Sequence, residues 1–144
     1  MNKKIKLICC RALSHLLEPM MSEQVERVIL PIRLHLSQAN LNIALQDEIS
    51  RIEEPGVDIL LGYGLCGRGV EGVSSRKSRL IIPKVDDCVG AILGSKDRHK
   101  AILSENAGSF FLEPQWIGTE VDIFFQCFRG LEKIPVEHRQ ETVD

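Results

Sequence analysis

Aromatic side chains are scarce in this chain. Five Phe, one Tyr and one Trp make up 5% of it, too few for a platform on which nucleic-acid bases could stack. An excess of basic charge is missing as well. The formal net charge is -2 and the sequence pI is near 6.1, against the strongly basic balance of a general nucleic-acid binder. No apolar run approaches the ~18 residues that would cross a bilayer. The opening Met1–Leu13 has a basic flank, but its apolar stretch, Ile5 to Cys10, is stopped by Arg11 short of the ~7–15 residues of a secretory core. It reads as a first strand, and the expected location is the cytoplasm. There is no CxxC pair, which removes the zinc-ribbon and thioredoxin-type readings.

What is present is an ordinary globular composition: 144 residues, 44% apolar and 26% charged, the size of one domain. Short β-branched apolar runs alternate with stretches of helical periodicity. That alternation predicts βαβ units and a parallel sheet. The runs are Ile5–Cys9, Arg27–Ile32, Val57–Leu61 and Leu80–Pro83, with weaker ones at Ser109–Leu112 and Val121–Phe125. Between them, Leu13, Leu16, Leu17 and Met20 mark a helix that Pro19 ends or kinks near Glu18. Leu41, Ala44, Leu45, Ile49 and Ile52 share one face of a longer helix stopped by Pro55-Gly56. A short helix is expected to open at Val70–Val73, another through Val89–Leu93 after Asp86 and Asp87, and a third from Ser95 to Asn106. The fold class is therefore α/β: a Rossmann-like three-layer fold with a mainly parallel sheet. Its expected extent is residues 1–118, with 119–144 a C-terminal extension.

In such a sheet the loops after the strands share one edge, and ligands bind there. Cys10 directly follows the first strand, Cys66 lies in the loop after Val57–Leu61, and Cys88 stands at the mouth of the next helix. His35 follows the strand ending near Ile32. Three thiols and one imidazole, each from a different βα junction, are thus expected at one rim. Asp86 is a further candidate there. Thiolate and imidazole suit zinc, iron or cobalt, and three protein ligands would leave an open position for chemistry. Burial as core filler is the competing explanation for any single cysteine. Cys9 should face away from Cys10 and serve packing, as should Cys127, and His15 and His99 are expected to face solvent. The run Gly62–Gly69 lacks both the GxxxxGK[ST] pattern and a dinucleotide fingerprint. Its Gly64, Gly67 and Arg68 are candidates to meet a bound anion, and its main office would be a sharp turn presenting Cys66.

The stretches ICCRALSHLL, LPIRLHLSQANL, ILLGYGLCGRGVEGVSSRKSRLIIPKVDDCVGAILGS and NAGSFFLEPQWI resemble the domain-of-unknown-function family 1638 over most of residues 5–118. GYGLCG, followed by a strand, IP and DDC, is the specific part. The resemblance implies recurring cysteines at Cys10, Cys66 and Cys88. Asp86 stands where the family's triplet carries histidine, which would put an oxygen ligand in place of an imidazole. The resemblance further implies anaerobes and methanogens as hosts, with a methyltransferase or corrinoid protein as neighbour and partner. A corrinoid enters by that association only.

Three readings follow: an accessory of corrinoid methyl transfer with a cysteine-rich metal site, a metal-free thiol enzyme using Cys66 or Cys88 as nucleophile, and a non-catalytic binding module. In the last, Phe110, Phe111 and Trp116 would form a partner surface, with a core role the favoured expectation for the two Phe residues.

Overall fold

A computed structural model of the chain describes residues 4–119. By its internal contacts the chain divides into two units, Met1–Phe111 and Leu112–Asp144. In the first, strand β1 (Lys4–Cys10) leads into helix α1 (Arg11–Leu17), which tightens into a 3-10 turn at Glu18–Met20, around Pro19. Strand β2 (Glu26–Leu30) follows. Pro31 ends it, and Ile32–Leu36 coils as a second 3-10 turn before helix α2 (Gln38–Ile52). Strand β3 (Val57–Gly62), strand β4 (Arg79–Ile81), helix α3 (Cys88–Ile92) and helix α4 (Lys96–Glu105) complete the unit.

The four strands form one sheet in the order β2-β1-β3-β4, and every pairing is parallel. The fold is α/β and Rossmann-like. The chain steps from β1 outward to β2, then returns across β1 to β3. Right-handed crossovers in opposite directions set α1 and α2 on opposite faces of the sheet. The central strands accordingly lose their alternation: Leu7, Ile8, Cys9 and Cys10 of β1 are all buried, as are Val57, Asp58 and Ile59 of β3.

Helix α2 supplies the main apolar stripe. Leu41, Leu45, Ile49 and Ile52 are its buried residues, at the spacing that keeps them on one face. Burial of each is worth about 1.5–3 kcal/mol. Ser37 starts the helix by accepting a hydrogen bond from the Asn40 N–H at 3.3 Å. A polar flank of α2, beside the buried stripe, holds the long connection from β3 to β4. Asn42 Nδ2 donates to the carbonyls of Gly69 and Glu71 at 3.1 and 2.7 Å. Gln46 exchanges bonds with the backbone of Ser74. Just past the helix, the Glu53 carboxylate accepts from the Ser75 hydroxyl and from the N–H groups of Arg76 and Lys77. The Ser75 hydroxyl leads these donors in holding the Glu53 carboxyl below its ordinary range.

Several expectations change here. Val70–Val73 forms turns, because the loop backbone there is spent on the bonds to α2 and no helical run is left. Ser109–Leu112 is not a strand. The described sheet ends at β4, so those residues have no neighbour to pair with. Val121–Phe125 and Cys127 lie outside the described residues.

Candidate functional site

Successive connections leave the sheet in opposite directions from the carboxyl ends of β1 and β3: β1 leads to β2 on one side, β3 to β4 on the other. The loops after these two adjacent strands therefore part, leaving a crevice at the place where open α/β sheets bind ligands. Cys10 ends β1 and Cys66 lies four residues past β3, so both fall at this crevice.

Cys10 is buried, with 1% of its surface exposed. Its sulfur accepts from the Ala12 N–H at 3.4 Å, capping α1, and lies 3.1 Å from His35 Nε2. The 3-10 turn after β2 brings His35 there, and its ring stacks on Tyr63 with centroids 6.0 Å apart and planes 22° from parallel. Burial would lower the His35 pKa. The hydrogen bond to Cys10 and the neighbouring Cys10 and Cys88 outweigh it, so the imidazole is more easily protonated than a free one. Tyr63 is fully buried, and burial holds its hydroxyl protonated far above the ordinary range.

Cys66 and Cys88 act on each other's ionisation: the side chain of Cys88 lowers the Cys66 pKa and that of Cys66 raises the Cys88 pKa. Cys88 is the leading cause of the shift at Cys66. Burial opposes it, a backbone hydrogen bond with Gly64 adds to it, and the neighbouring Cys10 and Asp87 also oppose it. Cys66 is thus the thiol of the pair that ionises more readily, and Cys88 the one that holds its proton longer. Cys88 opens a five-residue helix, yet Cys66 and burial raise its pKa.

The backbone crossing that creates this pair is tight. The N–H groups of Leu65 and Cys66 donate to the carbonyls of Val85 and Asp86 at 3.1 and 3.0 Å. A Cβ on Gly64 would lie 2.5–2.6 Å from backbone atoms of Asp87, so only glycine lets the two segments approach. Beyond it, Cys66, Gly67 and Arg68 all adopt left-handed backbone, with φ of 46°, 64° and 75°. For Cys66 and Arg68 that conformation costs about 1 kcal/mol or more each.

The other candidates fall in different surroundings. Arg68 is exposed and paired with Glu71 at 2.9 Å. A Cβ on Gly67 would meet the Gln38 side chain at 2.8 Å. The exposed Asp86 lines an open groove of about 260 Å³ with Leu65, Lys84 and Lys96. Asp87 is the carboxylate whose charge reaches both Cys66 and Cys88. It caps α3, accepting from the Gly90 N–H at 2.8 Å, and lies 3.4 Å from His99 Nδ1. His99 is only 13% exposed and packs edge-on against Phe111, so it does not face solvent as expected. His15 is half-buried. Cys9, by contrast, is sealed under Gly62, and burial raises its thiol to about 11.

Cys10, His35, Cys66 and Cys88 therefore gather at one rim and feel one another's charge. Among the described residues, however, no group of three or more His, Cys, Asp or Glu side chains is arranged to hold a metal ion. Sequence reasoning missed Tyr63 and the anchoring residues Asn42, Gln46 and Glu53, while the cap expected of Asp86 and Asp87 is supplied by Asp87. Only Tyr63 carried a local signal, as the residue immediately past a buried strand.

Among the described residues, no helix is long and apolar enough to cross a membrane. The family model described as a protein of unknown function, number 1638, matches residues 29–143. That span runs past the stretch on which the sequence resemblance rested. No curated protein and no solved structure matches the chain.

Proposed function

The chain belongs to domain-of-unknown-function family 1638, and from that premise we propose that it works as a metal-free thiol protein with Cys66 as its nucleophile. The observation that carries this reading is the backbone crossing that sets Cys66 beside the mouth of α3, its N–H donating to the Asp86 carbonyl at 3.0 Å, where the neighbouring Cys88 lowers the Cys66 pKa. Thiolate is the reactive form of cysteine, and a thiol poised below its ordinary value at a partly exposed site is the pattern of a working nucleophile. In the reaction the Cys66 sulfur bonds to an electrophilic atom, and the group displaced leaves with the electron pair of the broken bond. The Cys88 thiol stands nearest to return a proton. Cys10 and His35 flank the pair with a second polar contact. A methyl group presented by a corrinoid protein or methyltransferase would be one such electrophile, supported by the family resemblance alone.

Zinc or iron held by Cys10, Cys66, Cys88 and His35, with or without Asp86, is the rival. The four rim residues have suitable donor atoms, yet as arranged they do not make a shell, so no step is routed through an ion.

The test is alkylation by iodoacetamide of full-length protein purified anaerobically, followed residue by residue across pH, with metal content measured on the same sample. Cys66 is expected to react first among the cysteines, with a midpoint below 9.0, the ordinary thiol value. About one equivalent of bound metal, with Cys10, Cys66 and Cys88 all protected until a chelator is added, would establish the rival instead.

A further inference from the structure

We propose that Cys66 and Cys88 act as a dithiol pair that passes two electrons to a disulfide substrate and closes into a Cys66–Cys88 disulfide. This rests on the reading of Cys66 as the thiolate and names the substrate class and the second thiol.

The described cysteines are all free, and their surroundings separate them. Cys9 is fully buried beneath Gly62. Cys10 is buried and committed to Ala12 and His35. Cys66 and Cys88 alone among these four are partly exposed, and the bond from the Cys66 N–H to the Asp86 carbonyl, two residues before Cys88, sets their segments side by side. A disulfide requires the two sulfurs to close to ~2.05 Å. The backbone bonds from Leu65 to Val85 and from Cys66 to Asp86 hold the two chain segments together while the side chains turn. Neither cysteine lies inside a long element. One sits in the glycine loop and the other opens a five-residue helix, so closing the bond need not distort the sheet.

The exchange balances as follows. The Cys66 thiolate attacks one sulfur of the substrate R–S–S–R′, making the mixed disulfide Cys66–S–S–R and releasing R′S⁻, which takes up a proton. Cys88 then gives up its proton and attacks the Cys66 sulfur, expelling RS⁻. The products are one intramolecular disulfide and two small thiols. The substrate disulfide is reduced and the cysteine pair oxidised by the same two electrons. The charge of His35 eases the second step, because it is the one neighbour acting to lower the Cys88 pKa. An external dithiol regenerates the pair by the reverse exchange.

The probe is glutathione disulfide, added to the reduced full-length chain without oxygen, with the products read by intact mass and peptide mapping. Wild type should lose two hydrogens, map a Cys66–Cys88 link and retain little glutathione. Cys88→Ser should instead accumulate one glutathione on Cys66, and Cys66→Ser should slow the reaction by about tenfold or more. A mixed disulfide on Cys66 that persists in wild type as it does in Cys88→Ser overturns the pairing, as does a link from Cys66 to Cys10. If iodoacetamide still labels Cys66 first in that case, the nucleophile stands and only the dithiol inference fails. If Cys66 is not the first thiol labelled, both fail together.

Discussion

Gly64→Ala tests the crossing on which the site depends. The new Cβ would sit 2.5, 2.6 and 2.6 Å from the carbonyl carbon, Cα and carbonyl oxygen of Asp87, where ordinary contact begins near 3.4 Å. These are backbone atoms and cannot rotate aside, so the segments must separate by roughly 0.9 Å. The adjacent bonds, Leu65 to Val85 at 3.1 Å and Cys66 to Asp86 at 3.0 Å, would then stretch beyond useful length. Losing two net backbone hydrogen bonds costs about 1 kcal/mol each. Overpacking adds about 1–3 kcal/mol, for a total of about 3–5 kcal/mol. Urea unfolding measures that loss. The iodoacetamide profile of Cys66 should also move up toward 9.0, as Cys66 parts from both Cys88 and Gly64. Gly108→Ala is the control, because a Cβ there meets nothing within 4 Å, and it should stay within about 0.5 kcal/mol of wild type. A Gly64→Ala protein as stable as that control, with an unchanged Cys66 profile, would refute the reasoning.

Three further outcomes are expected. Leu45→Ala removes a fully buried side chain from the stripe of α2 and should cost about 2–5 kcal/mol in urea unfolding, with Cys66 still the first thiol labelled in the folded protein. Cys9 is protonated in the fold up to about 11 and ordinarily up to 9.0, so folding favours the neutral thiol. That contribution is intact below pH 9.0 and is lost as pH rises to about 11. The stability difference between wild type and Cys9→Ala should therefore shrink by at most about 3 kcal/mol across that window in chemical denaturation. Asp87→Ala deletes the cap on the Gly90 N–H and should cost about 0.5–2 kcal/mol by the same measurement. Because the Asp87 charge opposes ionisation of both Cys66 and Cys88, this variant should also be alkylated at lower pH.

The elements and the order of the sheet's inputs were legible in sequence, because burial on both faces writes continuous apolar runs such as Val57–Leu61, and helices write period 3.6, as in Leu41, Leu45, Ile49 and Ile52. Parallel pairing then sends Cys10, His35, Cys66 and Cys88 to one rim by topology alone. The weak runs failed for a matching reason. Ser109–Leu112 has strand-like composition, but a strand exists only beside a partner.

The distribution of protons was not written in the sequence. Cys66 and Cys88 are identical in chemistry and both half-buried, and only their placement in the fold lowers the pKa of one and raises that of the other. Asp86 and Asp87 are neighbours of one type, yet the first lines a groove and the second faces the thiols and His99. Spacing along a chain decides which edge of a sheet a residue reaches. Differences of an ångström in who touches whom decide its charge, since hydrogen bonds and desolvation act over a single contact and are set only when distant segments pack.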